Sequence, residues 1–84
     1  MEDKRNRIKK SLRLAMIFSG KKLNNLDLAI EDINNHFQHV EIKFIELAIK
    51  EGSLGYYGEV DKLSIQIICI WINKSIEKYR SNFI

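Results

Sequence analysis

Apolar residues recur at the spacing of an amphipathic helix in four blocks of the chain, and the junctions between them are rich in glycine or asparagine. The first block runs from Asp3 to Ser19. On a helix it gathers Ile8, Leu12, Leu14, Ala15, Met16 and Phe18 on one broad side. Lys9, Lys10 and Arg13 fall opposite, with Ile17 left among the bases. Gly20-Lys21-Lys22 is the expected stop, a glycine past the end with cations near the negative pole of the dipole. Asn24 or Asn25 then caps a second helix with Asp27 in its first turn and Leu26, Ala29, Ile30, Ile33 and Phe37 as its apolar stripe. Asn34-Asn35-His36 propagates a helix poorly, so a break is expected near Phe37–His39.

The third block, Val40 to Glu51, is apolar on two sides: Val40, Phe44 and Leu47 on one, Ile42, Ile45 and Ile49 on the other. That pattern marks a central helix, and Glu46 and Lys50 have the i, i+4 spacing of an ion pair. Gly52 is expected to end it. Residues 52–61, GSLGYYGEVD, hold three of the four glycines and two tyrosines, the composition of a tight loop that uses positive φ with one tyrosine plugging the core beneath. Ser64 can cap a final helix, and Leu63 and Ile68 have the spacing of a hydrophobic staple. Ile65, Ile68, Ile72, Ile76, Tyr79 and Phe83 make its core face, widened by Ile67, Ile70 and Trp71. The run IQIICIWI, rich in β-branched residues, also fits a buried strand; continuous helical spacing to Phe83 and the absence of proline favour helix. The expected fold is all-α, a small bundle of about four helices with a Gly/Tyr-rich loop before the last and a helix-turn-helix-like junction there.

Eighty-four residues with 45% hydrophobic content supply one core, so residues 1–84 form a single domain. Charge divides that domain unevenly. Residues 1–22 carry eight bases against two acids, a balance of +6, while residues 23–84 carry six bases against nine acids, a balance of −3. A basic arm on an acidic body points to an anionic partner, and nucleic acid, DNA ahead of RNA, leads that class. Lys4, Arg5, Arg7, Lys9, Lys10, Arg13, Lys21 and Lys22 are the candidate phosphate contacts. The competing readings are a solvated face and a membrane-surface helix, although the apolar residues such a helix needs are wanted by the core.

The segment LSIQIICIWINK is similar to the second helix of helix-turn-helix proteins, with Gln66 placed to pair with an adenine edge and Lys62 and Lys74 to touch phosphate. It departs from that motif in the long connection Gly52–Asp61 and in Ile67 and Ile70, where polar readers belong. The surplus of apolar residues, Ile17, Leu28, Ile67, Ile70 and Trp71, supports a second reading: docking onto a larger host or phage protein, or a homodimer, with Ile67, Ile70 and Trp71 at the interface.

Other chemistries find little support. A single cysteine, Cys69, forms no disulfide within the chain, and an intracellular, reducing location is expected. The run Leu14–Phe18 is too short for a membrane span. His36 and His39 have metal-ligand spacing but lack a further ligand, so neither a metal nor a cofactor is expected. GSLGYYG lacks the lysine and Ser/Thr ending of a phosphate-binding loop. Tyr56 and Tyr57 can stack on bases of a single strand. No nucleophile–base arrangement is visible, and the chain is read as non-enzymatic.

From Phe37 onward a set of residues stands out together: Phe37-x-His39, Ala48 before Gly52, Gly55, Tyr57 and Gly58, then Leu63-Ser64, Gln66 and Trp71-Ile72. Over this half of the chain it resembles a group of small helical proteins encoded by phages and mobile elements. The resemblance implies a helical accessory protein linked to replication or DNA handling; it assigns no site residue, and the basic arm lies outside it.

Overall fold

The computed structural model describes residues 3–81, which form four helices: α1 (Lys4–Ser19), α2 (Leu26–His36), α3 (Ile42–Ser53) and α4 (Ile65–Ser81). Among the described residues there is no strand, and the run from Ile65 to Ile72 is helical throughout. Phe83, expected on the core face of α4, lies outside them.

Local chemistry accounts for most boundaries. Gly20, at φ 70°, takes the left-handed cap of α1 and its N–H donates to the Met16 carbonyl. Asn25 is the cap of α2: its side chain accepts from the Leu28 N–H at 3.4 Å. Its own backbone sits at φ 55°, a conformation asparagine tolerates better than most residues. The helix breaks at Phe37 as its asparagine-rich end predicts. Ser64 accepts the Ile67 N–H at 3.2 Å to start α4, and the staple residues Leu63 and Ile68 are both buried.

Four expectations are corrected. Helix α3 starts at Ile42, leaving Val40 in the preceding turn, and it runs through Gly52 to Ser53. Gly52 is a packing residue inside the last turn, because a Cβ there would overlap the Trp71 ring at Cγ, Cδ2 and Cε3. Glu46 pairs with Arg7 of α1, not with Lys50. Finally, Leu14 and Phe18 do not join the core stripe of α1; they are 49% and 44% exposed, while Ile8, Ser11, Leu12 and Ala15 make the buried seam. That seam is narrower than the apolar arc because α1 packs against only α2 and α3 among the described helices.

The helices make a ring in the order α1, α3, α4, α2, with each packed on its two neighbours and none across the diagonal. Helices α1 and α3 run in the same sense: Lys4 and Arg7 reach Val40 and Glu46 near their starts, and Phe18 and Lys50 line one cavity near their ends. Helix α4 runs against α3, with Trp71 on Gly52 at one end and the Phe44 and Tyr79 rings 5.9 Å apart at the other. Helix α2 runs against α1 through the Arg5–Glu31 pair. The centre is filled by Ile8, Leu12, Ile33, Ile45, Ile49, Ile68 and Ile72, each fully buried, at roughly 1.5–3 kcal/mol apiece for removal from water. No helix among the described residues is long and apolar enough to cross a membrane.

Candidate anion-binding surface

The cations of the basic arm do different jobs. Lys4 Nζ donates to the carbonyls of Phe37 and Val40, each at 3.0 Å, and of Gln38 at 3.4 Å. It thereby ties down the cap residue of α2 and the turn after it, and places a positive charge near that helix's negative pole. Arg5 grips Glu31 with Nε and Nη2, and this hydrogen bond with its charge holds the Arg5 pKa above its ordinary value. Arg7 forms a two-pronged pair with Glu46 at 3.1 and 2.6 Å. These three are structural clasps between α1 and its neighbours. Among the candidate phosphate contacts these three differ from the rest in having donors already aimed at groups of the same molecule.

Lys9, Arg13, Lys21 and Lys22 have no side-chain partner among the described residues; Lys10, although exposed, is not one of these free cations. Helical spacing arranges the outer surface of α1 in two strips. Lys9 and Arg13 follow Arg5 at intervals of one turn, on the side facing α2. Leu14 and Phe18 follow the side of Arg7, facing α3, and with Ser11, Glu46 and Lys50 they line a cavity of about 240 Å³. Ile17, at 72% the most exposed large apolar residue among the described ones, stands between the strips.

Lys21 and Lys22 continue the cationic strip around the end of the bundle where α1 and α3 stop and α2 and α4 start. There Leu23, Asn24 and Asp32 enclose a cavity of about 490 Å³ with Lys62, Leu63, Ser64, Ile65 and Gln66. So Lys62 and Gln66 share a cavity with Leu23 and Asn24, the residues that directly follow Lys21-Lys22 in the chain. Asp32 joins them without having been singled out, and Asn24 joins as a residue expected only to cap a helix. Only the tertiary approach of the α1–α2 and α3–α4 connections reveals them. Lys74 is exposed two turns farther along α4, away from this cavity.

The expected partner interface is also corrected. Trp71 is 2% exposed and offers nothing to a partner; Ile67 is half-buried and Ile70 alone is open, at 49%. The tryptophan turns inward because Gly52 makes room for its ring. In the glycine loop Tyr57 is half-buried against the core and Tyr56 is 67% exposed. His36 lies edge-on to the Phe37 ring at 4.8 Å. It shares a shallow cavity with Asp32, Asn35, Ile65 and Cys69. Burial first, and then the Asp32 charge, push the Cys69 thiol above its ordinary pKa, which favours the protonated thiol. Among the described residues no three His, Cys, Asp or Glu side chains are grouped to hold a metal ion.

Fold and surface together define a small four-helix protein with one side of α1 and one end of the bundle carrying cations that have no side-chain partner among the described residues. No family model, curated protein or solved structure matches the chain.

Proposed function

We propose that this protein is a non-enzymatic, nucleic-acid-binding accessory protein of a phage or mobile element. Its phosphate contacts are Lys9, Arg13, Lys21 and Lys22, with Lys62 beside them. The observation that supports this reading is the partition of the cations: Lys4, Arg5 and Arg7 are paired with groups of the same molecule, while those four have no side-chain partner among the described residues. Cations so arranged displace condensed counterions from a polyanion. Binding of a labelled oligonucleotide of about twelve nucleotides, within the ~4–16-nucleotide range of small single-strand sites, is expected to weaken steeply between about 50 and 200 mM salt. Exchanging Lys9, Arg13, Lys21 and Lys22 for glutamine should abolish most of that binding and leave thermal unfolding unchanged. Affinity indifferent to both changes refutes the proposal.

A second reading, docking onto a larger protein, is favoured by Leu14, Ile17 and Phe18, which are open to solvent beside the α1–α3 cavity. It moves the apolar contact from α4 to α1.

A further inference from the structure

The cavity at the Lys21-Lys22 end has a composition that narrows the ligand, granting the nucleic-acid reading above. Its walls are aliphatic, from Leu23, Leu63 and Ile65, with Leu23 and Leu63 only 8% and 6% exposed. Asn24 and Gln66 bring amides that both donate and accept. Asp32 brings a carboxylate from α2, so the interior repels phosphate. Lys62 is exposed in the lining, and Lys22 immediately precedes Leu23 in the chain. A flat heterocycle satisfies all of these at once: apolar faces against the aliphatic walls, a polar edge toward the amides and carboxylate, and anionic groups held outside at the lysines. The volume, about 490 Å³, falls in the ~300–1,000 Å³ range of small-molecule clefts.

We propose that this cavity receives one unstacked base of a single-stranded nucleic acid, with Lys22 and Lys62 holding its flanking phosphates and Asn24, Asp32 and Gln66 reading its edge. A paired base cannot enter, so single strands outcompete duplex. Asp32 accepts a hydrogen bond from an exocyclic amino group, which cytosine presents and thymine does not. Tyr56, 67% exposed in the α3–α4 connection, supplies an aromatic face at the same end for a neighbouring base.

The test uses the full chain and fluorescence anisotropy with oligo-dC, oligo-dT and a matched duplex, at low salt. The expected result is that oligo-dC binds about 5- to 10-fold more tightly than oligo-dT, the scale of one base-edge contact, and both more tightly than duplex. Asp32→Ala should erase the dC preference. The double variant Asn24→Ala/Gln66→Ala should weaken oligo-dC about 10-fold with the salt slope unchanged. All three side chains are exposed, and circular dichroism and thermal unfolding confirm that each variant is folded. Equal binding of dC, dT and duplex, insensitive to Asn24, Asp32 and Gln66 but still lost in the Lys9/Arg13/Lys21/Lys22 variant, overturns the base pocket and leaves the polyanion reading standing. Absence of binding to any of the three nucleic acids overturns both.

Discussion

Where α2 stops, its backbone has no glycine to turn on: Phe37 leaves the helix at φ −117° and ψ 41°. The carbonyls of Phe37, Gln38 and Val40 then accept from the Lys4 ammonium, that of Phe37 also from the Val40 N–H. At the opposite end of the bundle α1 and α3 stop by a different device. Gly20 closes α1 with a bond to the Met16 carbonyl, while Leu54, Gly55 and Tyr56 donate to the carbonyls of Lys50, Gly52 and Glu51. That end satisfies itself through backbone turns and has no use for a cationic cap, so Lys21, Lys22 and Lys62 remain available. Lys4 is engaged beside a terminus that has no glycine, whereas Lys21 and Lys22 follow one that closes on Gly20. Net charge counts both kinds alike, which is why the +6 of the arm overstates its free cations.

The largest expected effect lies at the glycine-built end. Gly52→Ala sets a methyl group into the Trp71 ring, and neither the α3 backbone nor a ring that is 2% exposed can yield freely. Urea unfolding should show a loss of about 3 kcal/mol, the upper part of the usual range for overpacking. Trp71 emission should shift to the red as the ring is displaced. A variant as stable as the parent would show that the α3–α4 contact is looser than the geometry states, and that the turn after it owes its shape to something else.

Much of this was legible in the chain. Helix number, the Gly20 stop of α1, the break near Phe37 and the Ser64 cap follow from periodicity and capping chemistry, which are local. The residues behind the resemblance are legible afterwards in physical terms. Gly52 and Trp71 need one another, Gly55 and Gly58 stand at φ 90° and 120°, and Phe37, Ala48, Leu63 and Ile72 are buried. His39 and Gln66 are exposed, as are Gly55 and Gly58 in their loop. What could not be read was tertiary. Glu46 has Lys50 one turn away in sequence, yet it pairs with Arg7 from another helix. Leu14 looks like core until α1 is seen to have two neighbours instead of three. Asn24 and Asp32 join Lys62 and Gln66 only because two connections distant in sequence fold onto the same end.

At the lysine-built end, Lys4→Met keeps the aliphatic stem and removes the charged donor from three carbonyls. Hydrogen bonds to charged groups contribute about 1.5–3 kcal/mol. These carbonyls lie near the surface and regain water, so a loss of about 1–2 kcal/mol is expected by chemical denaturation. Oligonucleotide affinity should be unchanged within twofold. If affinity falls while stability holds, Lys4 belongs with the binding cations and the contrast between the two ends is lost.

Gly20→Ala isolates the backbone contribution with the least interference. Nothing lies within 4 Å of the Cβ it adds, so no steric clash is involved; the strain is that of an L-residue held at φ 70°. Left-handed backbone disfavours a Cβ by roughly 1–2 kcal/mol, offset by about 0.4–1 kcal/mol from the smaller entropy of the unfolded chain. A net loss near 1 kcal/mol should appear in urea unfolding, and Gly20→Asn should lie between alanine and the parent, because asparagine enters this region more readily. That ranking is what a self-closing α1 end requires. Alanine equal to or better than asparagine would mean that α1 does not end on a left-handed residue in solution, and the Met16 carbonyl would then fall to a side chain, with Lys21 and Lys22 the nearest donors. The two lysines would cease to be free for the same reason that Lys4 is not.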